Sequence, residues 1–446
     1  MYDSNATISA IATPLGEGGV AIIRISGPAA LAVANGLFSA DVTKYSTHTA
    51  HLGNVLTPGG ELVDQALCLV MHGPRSFTGQ DCVELQCHGG LLAARKVLQA
   101  TLAAGAQLAK PGEFTFRAFM NGKIDLAQAE GIQNLIGAKS EQAYEHAQTH
   151  LEGRLSGTVQ SFQAELVQLA AIFEAWVDFP EDDLGYLSFA ELTQRLNALI
   201  EKMQRLLGSY EQGKRLKEGA TICLVGPPNA GKSSLLNALL DQERAIVTPI
   251  AGTTRDLIEA DYCLAGHNLS LVDTAGIRES EDPIEKEGIV RTQKAMQKAD
   301  LVLLLMDASE PINPSDYLDG ACQQKALVLH NKIDLCPQTS SPAPDLAISV
   351  KEGVGFDKLR QMIDERLCQT ARHSEGVILS SERHREALEQ ALALVVQVRE
   401  QFEARISPEF LSFEMRQALQ ALGKIIGTDV TEDVLDSIFS QFCIGK

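Results

Sequence analysis

Three patterns of apolar and polar residues follow one another along the chain. Up to residue 118, short apolar runs alternate with Gly-rich turns, and a later stretch has helical spacing. The runs cover residues 20–25, 67–71 and 82–86, and the helical stretch covers 91–104. Short strands with few helices are typical of an α+β fold. The pattern therefore predicts an N-terminal α+β domain over residues 1–118.

Residues 119–215 change to long stretches in which apolar side chains recur every three or four residues, as at Leu155, Val159 and Phe162. The same spacing resumes over residues 374–446. Helices with one apolar face need a partner to cover it, and each block is the nearest candidate for the other. We therefore predict one helical domain in two parts, interrupted by an inserted domain.

The inserted segment, residues 216–373, alternates apolar strands with helical stretches. Its apolar runs cover residues 221–225, 269–272, 301–306 and 326–330. Nearly continuous apolar strands suit a parallel sheet that is covered on both faces. The predicted fold class is thus a multidomain chain of α+β and α/β parts, with a doubly wound insert.

Composition narrows the class of protein without giving its chemistry. The chain has 446 residues, 45% of them hydrophobic and 21% charged, which is ordinary for a globular protein. No apolar stretch approaches the roughly 20 residues of a membrane span, and the N-terminus lacks the layout of a signal peptide. The nine cysteines form no Cys-x-x-Cys pair, so we expect neither a disulfide framework nor a zinc site, and a cytoplasmic location.

Charge argues against a general affinity for nucleic acid. The net charge is −19, and a uniformly acidic surface repels a phosphate backbone. The basic cluster of Lys214, Arg215 and Lys217 is interpreted as a solvated linker rather than a binding site.

Residues 226–233 have the pattern G-x-x-x-x-G-K-S, between an apolar run and a helical stretch. Two glycines let the backbone curl so that several N–H groups point at one place, where the helix adds its positive end. Lys232 can reach the β- and γ-phosphates, and the Ser233 hydroxyl can ligate Mg²⁺. The sequence predicts a nucleoside triphosphate site that includes Asn229, Ala230, Gly231, Lys232, Ser233 and Ser234.

Two elements at strand ends point to guanine. Asn331, Lys332 and Asp334 belong to an Asn-Lys-x-Asp element, and the Asp334 carboxylate can accept from the N1–H and N2–H₂ edge that adenine lacks. The segment Ser349, Val350 and Lys351 follows at the next strand end as a support for the base. The predicted nucleotide is GTP.

Two further elements complete a Ras-like GTPase domain. The segment Asp273, Thr274, Ala275 and Gly276 places a carboxylate near the Mg²⁺ shell and a Gly N–H near the γ-phosphate. Gly252-Thr253-Thr254-Arg255-Asp256 precedes it, and Thr254 is the predicted switch threonine that closes on Mg²⁺.

The residue that orients water in small Ras-type GTPases, a glutamine, is replaced here by Ile277. The acidic run Glu279, Glu281, Asp282, Glu285 and Glu287 can deliver a carboxylate, but the residues alone favour a solvated switch loop. Arg255 and Arg278 are nearby, yet neither is an obvious arginine finger. A monovalent cation can replace the finger, and the Asn229 side-chain oxygen is suited to ligate it.

The motifs resemble the tRNA modification GTPase family MnmE/TrmE along the full length. The phosphate loop with Asn229, the GTTRD switch, DTAGIR followed by Glu285, and the terminal Phe-Cys-Ile-Gly-Lys carry the resemblance. Near the N-terminus, Arg24-Ile25-Ser26-Gly27, Ser76-Phe77-Thr78-Gly79 and His88-Gly89-Gly90 agree with it. Val350, Cys87 and Gln80 depart from otherwise familiar runs.

The resemblance implies a homodimer formed through an N-terminal domain like those of folate-binding one-carbon transfer proteins. It also implies an FAD-dependent partner in a hetero-oligomer, and the addition of a carboxymethylaminomethyl or aminomethyl group to carbon 5 of the wobble uridine of certain tRNAs. GTP hydrolysis, on dimerisation of the GTPase domains, would drive a conformational change.

Site residues follow from the same resemblance. K⁺ is assigned to Asn229, Thr248, Ile250 and Thr253, and Mg²⁺ to Ser233 and Thr254. Glu285 becomes the catalytic glutamate, which reverses the preference for a solvated loop. GTP contacts extend over Thr248, Pro249, Ile250, Ala251, Gly252, Thr253 and Thr254. 5-Formyltetrahydrofolate or a related folate is assigned to Arg24, Glu84, Lys123 and Lys446.

Three alternatives stay open at this point. Cys443 is either a buried near-terminal cysteine or a residue that acts on or orders the folate. The chain is alternatively a regulatory GTPase switch in ribosome or RNA maturation, without one-carbon chemistry. The N-terminal domain is alternatively a one-carbon transferase itself. Folate binding separates the regulatory switch from the tRNA modification GTPase.

Overall fold

The computed structural model describes residues 2–3, 5–178, 188–242, 259–264, 267–273, 292–310, 313–335, 344–368 and 376–445. The chain divides into two compact units. The first comprises Met1–Gln133, His150–Leu196 and Gln390–Lys446, and the second comprises Asn134–Thr149 and Asn197–Glu389.

Twelve strands are found in the described residues. They are β1 (Ile8–Ile11), β2 (Val20–Ser26), β3 (Thr49–Leu56), β4 (Leu62–Met71), β5 (Cys82–His88), β6 (Gln107–Leu108), β7 (Ala220–Val225), β8 (Glu259–Leu264), β9 (His267–Asp273), β10 (Leu301–Asp307), β11 (Ala326–Asn331) and β12 (Leu346–Ala347).

The helices follow the predicted textures. They are α1 (Ala30–Asn35), α2 (Leu91–Ala103), α3 (Glu113–Met120), α4 (Leu126–Gly137), α5 (Glu141–Leu151), α6 (Arg154–Asp178), α7 (Phe189–Gly208), α8 (Tyr210–Glu218), α9 (Lys232–Gln242), α10 (292–298), α11 (Gly320–Gln324), α12 (Phe356–Cys368), α13 (Glu382–Glu403), α14 (Pro408–Ile426) and α15 (Glu432–Phe439). Short 3₁₀ turns cover Val42–Lys44 and Pro314–Asp316.

The sheet of the first unit has the order β3-β4-β5-β2-β1-β6. All neighbours are antiparallel except β1 and β6, which run parallel. On one face, α1 and α2 cover alternate strand residues such as Ile23, Ile25 and Leu85, each fully buried. Alternate side chains point to the opposite face, which Phe114 of α3 covers at Ile8 and Ala10 of β1 and which stays open at Leu52 of β3 and Leu67 of β4. We call it the open face.

The helical part of the first unit buries the stripe that its spacing predicts. In α6, Leu155, Val159, Phe162 and Leu166 have at most 3% of their surface exposed, and α6 packs against α14. Burying one such side chain stabilises a fold by about 1.5–3 kcal/mol. Apolar periodicity therefore accounts for the pairing of these two helices, although they are far apart in sequence.

The second unit contains the sheet β12-β11-β10-β7-β9-β8. Successive residues of β10 enter different cores: Leu303 and Leu305 pack with α9 and α12, while Leu304 and Met306 pack with α10 and α11. The sheet is thus covered on both faces, as the continuous apolar runs predict. Its strands are parallel except β8, which pairs antiparallel with β9, because only two residues separate these strands.

Candidate nucleotide site and N-terminal binding site

The phosphate loop joins β7 to α9, and two of its glycines lie where a side chain has no room. Gly226 has φ +149°, and a Cβ there would lie 2.0 Å from the Leu305 carbonyl oxygen. Gly231 has φ +97°, and its Cβ would lie 2.5 Å from Nδ2 of Asn331. Because this backbone region favours glycine, the tight curl of the loop depends on both positions.

Lys232 is the first residue of α9 and its ammonium lies against the loop. Its Nζ donates to the carbonyl oxygens of Gly226 and Pro227, each at 3.0 Å. Ser233 follows on the first turn of the helix and has an exposed side chain. Asn229, within the loop, is also exposed and has φ 64°. An ammonium, a hydroxyl and the positive helix end therefore lie next to one another, which suits a phosphate with Mg²⁺.

Asn331 connects the phosphate loop to the segment 349–351, which is predicted to support the base. Only 3% of its surface is exposed, and its Nδ2 donates to the Ala230 carbonyl oxygen at 2.8 Å. Its Oδ1 accepts from the Val350 amide at 3.0 Å. One side chain thus fixes the spacing of three segments that are distant in sequence. This explains why an amide is required here, since it both donates and accepts.

Lys332 is held by a carboxylate that sequence reasoning did not single out. Its Nζ lies 2.7 Å from Oδ2 of Asp307, the last residue of β10. Burial by itself would raise the pKa of the Asp307 carboxyl, but hydrogen bonds from Lys332 and Ser309 hold it below its ordinary value. The signal was available, because Asp307 ends a buried parallel strand on the edge where ligands bind.

Asp334 contacts the segment 349–351 through Ser349. The fully buried Ser349 donates from its hydroxyl to Oδ1 of Asp334 at 2.7 Å. This bond orients the carboxylate and leaves Oδ2 without a partner among the described residues. Lys351, which follows Val350, has an exposed side chain. The arrangement can accept the two N–H groups of a guanine edge.

Asp273 is the last residue of β9 and pairs with Leu224 of the neighbouring β7, so its backbone lies beside the strand that leads into the phosphate loop. The other switch residues fall outside the described residues and stay predictions. They are Thr248, Pro249, Ile250, Ala251, Gly252, Thr253, Thr254, Thr274, Ala275, Gly276 and Glu285.

A second polar site lies on the open face of the N-terminal sheet. Arg24 of β2 is directly opposite Glu84 of β5; its Nε donates to Oε1 at 2.9 Å, and its Nη2 lies 2.8 Å from the same oxygen in an ion pair. The two side chains are 17% and 11% exposed. The rings of Phe77 and Phe114 lie 5.6 and 5.7 Å from the guanidinium carbon. A charged pair so enclosed keeps unused donors and acceptors at a small opening to solvent.

Lys123 lies near the same loop as Phe77. Its Nζ donates to the Pro74 carbonyl oxygen at 3.0 Å, and its stem lies next to Gly79, where a Cβ would be 3.4 Å from Cγ. The loop of residues 74–80, which we call the 74–80 loop, therefore contacts both Lys123 and, through Phe77, Arg24. Two of the predicted folate residues are brought into one region by it.

The chain end packs onto this domain. The Gly112 amide donates to the Cys443 carbonyl oxygen at 3.3 Å, and Gly445, at φ +94°, lies so close to β1 that a Cβ would be 2.3 Å from the Ile11 carbonyl oxygen. In the β1–β2 pair, Ala10 is opposite Arg24, so the tail approaches the strand next to the one that carries this arginine. Cys443 is exposed, which argues against a buried structural cysteine. Lys446 lies outside the described residues.

In the part of the chain that the structure describes, no helix is both long and apolar enough to cross a membrane.

Comparison with known proteins extends over the whole chain. The family model described as GTP-binding protein TrmE N-terminus matches residues 7–123, and the one described as MnmE helical domain matches residues 126–443. The tRNA modification GTPase MnmE of Protochlamydia amoebophila (strain UWE25) is 51% identical over 451 residues, covering 100% of this chain and 98% of that protein. The protein of the same name from Chlamydia abortus is 45% identical, with 99% of each chain covered. Among solved structures, Era of Aquifex aeolicus bound to GDP and AlF₄⁻ is 23% identical, covers 39% of this chain and 67% of that one, and has a TM-score of 0.26.

The chain has a TrmE-type N-terminal domain, followed in sequence by helical segments that flank a Ras-like nucleotide-binding domain. This combination defines a multidomain GTPase. The chain belongs to the MnmE family of tRNA modification GTPases. The predicted family, the fold class and the assignment as a GTP hydrolase are thereby confirmed.

Proposed function

We propose that the chain is a K⁺-dependent GTPase that acts, with an FAD-dependent partner, on carbon 5 of the wobble uridine of certain tRNAs. The group added is carboxymethylaminomethyl or aminomethyl, and the names of the relatives support the tRNA substrate. The observation that carries the proposal is one chain with two separate sites: the cradle organised by Asn331, and the enclosed Arg24–Glu84 pair. A purely regulatory GTPase has no need of the second site.

In the nucleotide site, Asp334 orients the base, Lys232 neutralises phosphate charge, and Ser233 is the described candidate to hold Mg²⁺. Mg²⁺, when bound, offsets charge on the β- and γ-phosphates. K⁺ would be held by Asn229, whose exposed side chain lies in the phosphate loop three residues before Lys232. The proposal leaves Thr248, Ile250, Thr253 and Thr254 as further cation residues and Glu285 as the catalytic carboxylate.

The proposed K⁺-dependent hydrolysis is tested by measuring GTP turnover in KCl and in NaCl. We expect faster turnover in KCl and a loss of about 100-fold or more in Glu285→Ala, the usual size for removal of a catalytic base. Glu287→Ala, in the same acidic run, is the matched control and should keep wild-type turnover. Equal rates in both salts, or equal loss in the two variants, would contradict the mechanism.

For the N-terminal domain we propose that a folate binds at Arg24, Glu84 and Lys123, and that Lys446 and Cys443 contact the ligand from the C-terminal tail. The fit rests on the chemistry of the pair: the guanidinium donates one hydrogen bond to Glu84 through Nε, and its remaining N–H groups match a carboxylate or a pterin edge. Calorimetry should show that 5-formyltetrahydrofolate binds the wild-type protein, and that its affinity for Arg24→Gln is lower by about 10-fold or more. Arg75→Gln, at an exposed arginine within the 74–80 loop, is the control.

A homodimer is proposed through the open face of the N-terminal sheet. Leu52 and Leu67 are directly opposite each other on β3 and β4, and are 66% and 40% exposed. Leu69, two residues on and therefore on the same face, is opposite Glu84. A second copy covering this apolar pair would thus lie next to the binding site. Leu52→Asp with Leu67→Asp should yield a monomer in sedimentation, whereas Leu92→Asp, 70% exposed on α2, should not. A monomeric wild-type protein would refute this.

The modification itself is tested by nucleoside analysis of tRNA from cells that lack this protein. We expect loss of the modified wobble uridine, and its return with wild type but not with Glu285→Ala. Unchanged tRNA together with defective ribosomes would favour the regulatory switch. The proposal also includes a cytoplasmic location. It keeps four domain segments, with the limits 1–118, 119–215, 216–373 and 374–446.

A further inference from the structure

Arg24 is enclosed by two aromatic rings that belong to different segments. The guanidinium carbon is 5.6 Å from the centre of the Phe77 ring and 5.7 Å from that of Phe114. Both distances lie within the roughly 6 Å over which a cation is attracted to a ring face. We name Phe77 and Phe114 the aromatic pair. Glu84 completes the enclosure and contacts the guanidinium through one of its two carboxylate oxygens, Oε1.

Ring contacts matter because the ion pair alone does not define the guanidinium plane. Nε donates to Oε1 and Nη2 lies 2.8 Å from that same oxygen, so the pair does not form two parallel hydrogen bonds to the two carboxylate oxygens. Such a pair tolerates rotation more readily than a bidentate one does. Rings on the flanks restrict that rotation, so the remaining N–H groups keep one direction.

Phe114 is fixed by its helix, whereas Phe77 depends on the 74–80 loop. Phe114 is fully buried on α3 and packs with Ile8, Ala10 and Ala109. Phe77 is only half-buried, and its neighbour Thr78 is tied by Ser26, whose hydroxyl lies 2.7 Å from the Thr78 hydroxyl. Phe77 packs against the same cluster as Phe114, and its placement also rests on the contacts that hold its loop.

Arg117 holds the far end of that loop. It lies one helical turn after Phe114 and is among the largest fully buried side chains. Nη1 donates to the Gln80 side-chain oxygen at 3.0 Å and to the Ala6 carbonyl oxygen at 2.7 Å. Nη2 donates to Oε1 of Glu113 at 2.8 Å and to the Asp3 carbonyl oxygen at 2.9 Å. The same helix face therefore carries one ring and the residue that anchors the loop bearing the other.

We propose that Phe77 and Phe114 are positioning residues that hold the Arg24 guanidinium for its ligand, and that Arg117 positions Phe77 through Gln80. The assignment of that ligand as a folate rests on the proposed function. Orientation of Arg24 does not depend on it, so the two can be tested separately.

The first test observes Arg24 without any ligand. In protein carrying ¹⁵N-arginine, the Arg24 Nε–H signal is identified by its absence in Arg24→Lys, and its hydrogen exchange is measured. We expect exchange about 2- to 30-fold faster in Phe77→Leu, the equivalent of one lost cation–π contact. Phe77→Tyr keeps the ring and should exchange at the wild-type rate, whereas Phe77→Leu keeps an apolar side chain but no ring.

A matched pair at Gln80 tests the anchor without touching the buried arginine. Gln80→Leu removes the acceptor for Arg117, while Gln80→Glu keeps it. We expect the Leu variant to behave like Phe77→Leu and the Glu variant like wild type, with both melting at a similar temperature. This pair also serves if Phe77→Leu fails to fold.

The second test adds 5-formyltetrahydrofolate. Affinity should fall about 2- to 30-fold in Phe77→Leu and Gln80→Leu, and stay near wild type in Phe77→Tyr and Gln80→Glu. Wild-type exchange in Phe77→Leu overturns the positioning proposal whatever the calorimetry shows. Faster exchange with no folate binding in any protein supports positioning and overturns only the folate assignment.

Discussion

The buried amide of Asn331 offers the sharpest test of how the nucleotide site is organised. Truncation in Asn331→Ala removes the bond from Nδ2 to the Ala230 carbonyl and the bond from the Val350 amide to Oδ1. Leaving a buried polar group unpaired costs about 1–3 kcal/mol. Ala230 is 1% exposed, but the Val350 bond is only partly buried, so we expect about 2–4 kcal/mol for the two together.

Part of that energy appears as lost nucleotide affinity, because the phosphate loop and the segment after β12 must be ordered by the ligand instead. If half of it does, affinity falls about 5- to 30-fold. Titration with a fluorescent GDP or GTP analogue measures this directly. Discrimination against ATP should persist, since Asp334 and Ser349 remain paired.

Asn331→Asp separates the two bonds. A carboxylate still accepts from Val350 but presents an oxygen, not a donor, to the Ala230 carbonyl. We therefore expect Asp to bind nucleotide no better than Ala, despite its similar shape. Wild-type affinity in Asn331→Asp would refute the reasoning, because it would mean that the bond to the phosphate loop is dispensable.

Three further predictions concern stability and reactivity. Gly213→Ala in α8 would place a Cβ 1.9 Å from the Leu379 carbonyl oxygen and should lower the melting temperature, whereas Gly157→Ala in α6, with no atom within 4 Å, should be neutral or raise it; equal shifts would contradict the packing. His330 is 1% exposed, neither ring nitrogen has a partner among the described residues, and burial lowers its pKa below the ordinary 6.5. The unfolded chain therefore takes up the proton at a higher pH than the folded chain, so the free energy of unfolding should fall as pH drops through 6.5. His330→Leu should lose part of this pH dependence, measured by urea unfolding at about pH 7.5 and about pH 5.5. An unchanged pH dependence would contradict the prediction. Iodoacetamide should label the exposed Cys443 before Cys68 and Cys82, because burial raises the pKa of both to about 12, and mass spectrometry would show the reverse order if this is wrong.

Local patterns were sufficient for several of the elements and for the phosphate loop. The apolar run 20–25 lies within β2, and the helical stretch 91–104 coincides with α2 apart from its last residue. Period and turn chemistry are properties of neighbouring residues, so sequence reveals them. Both loop glycines were singled out for the same reason, and their positive φ angles agree.

Partners across the chain could not be predicted in this way. No local pattern shows that Asn331 bonds to Ala230, about a hundred positions earlier, or that Lys332 pairs with Asp307. The same holds for the tail, whose Gly445 is placed by its approach to Ile11. Such contacts follow from which strands become neighbours, and sheet order is decided by the packing of the whole unit.

The uneven distribution of charge changes what the acidity of the chain implies. Residues 1–123 contain eight Lys and Arg and eight Asp and Glu, so the net charge of −19 arises entirely in residues 124–446. An anionic ligand at Arg24 therefore meets a locally neutral domain rather than a uniformly acidic surface. Charges elsewhere are screened beyond about 8–10 Å at ordinary ionic strength. The repulsion expected from composition alone thus does not apply at this site, and an enclosed guanidinium with unused donors is enough to attract a carboxylate there.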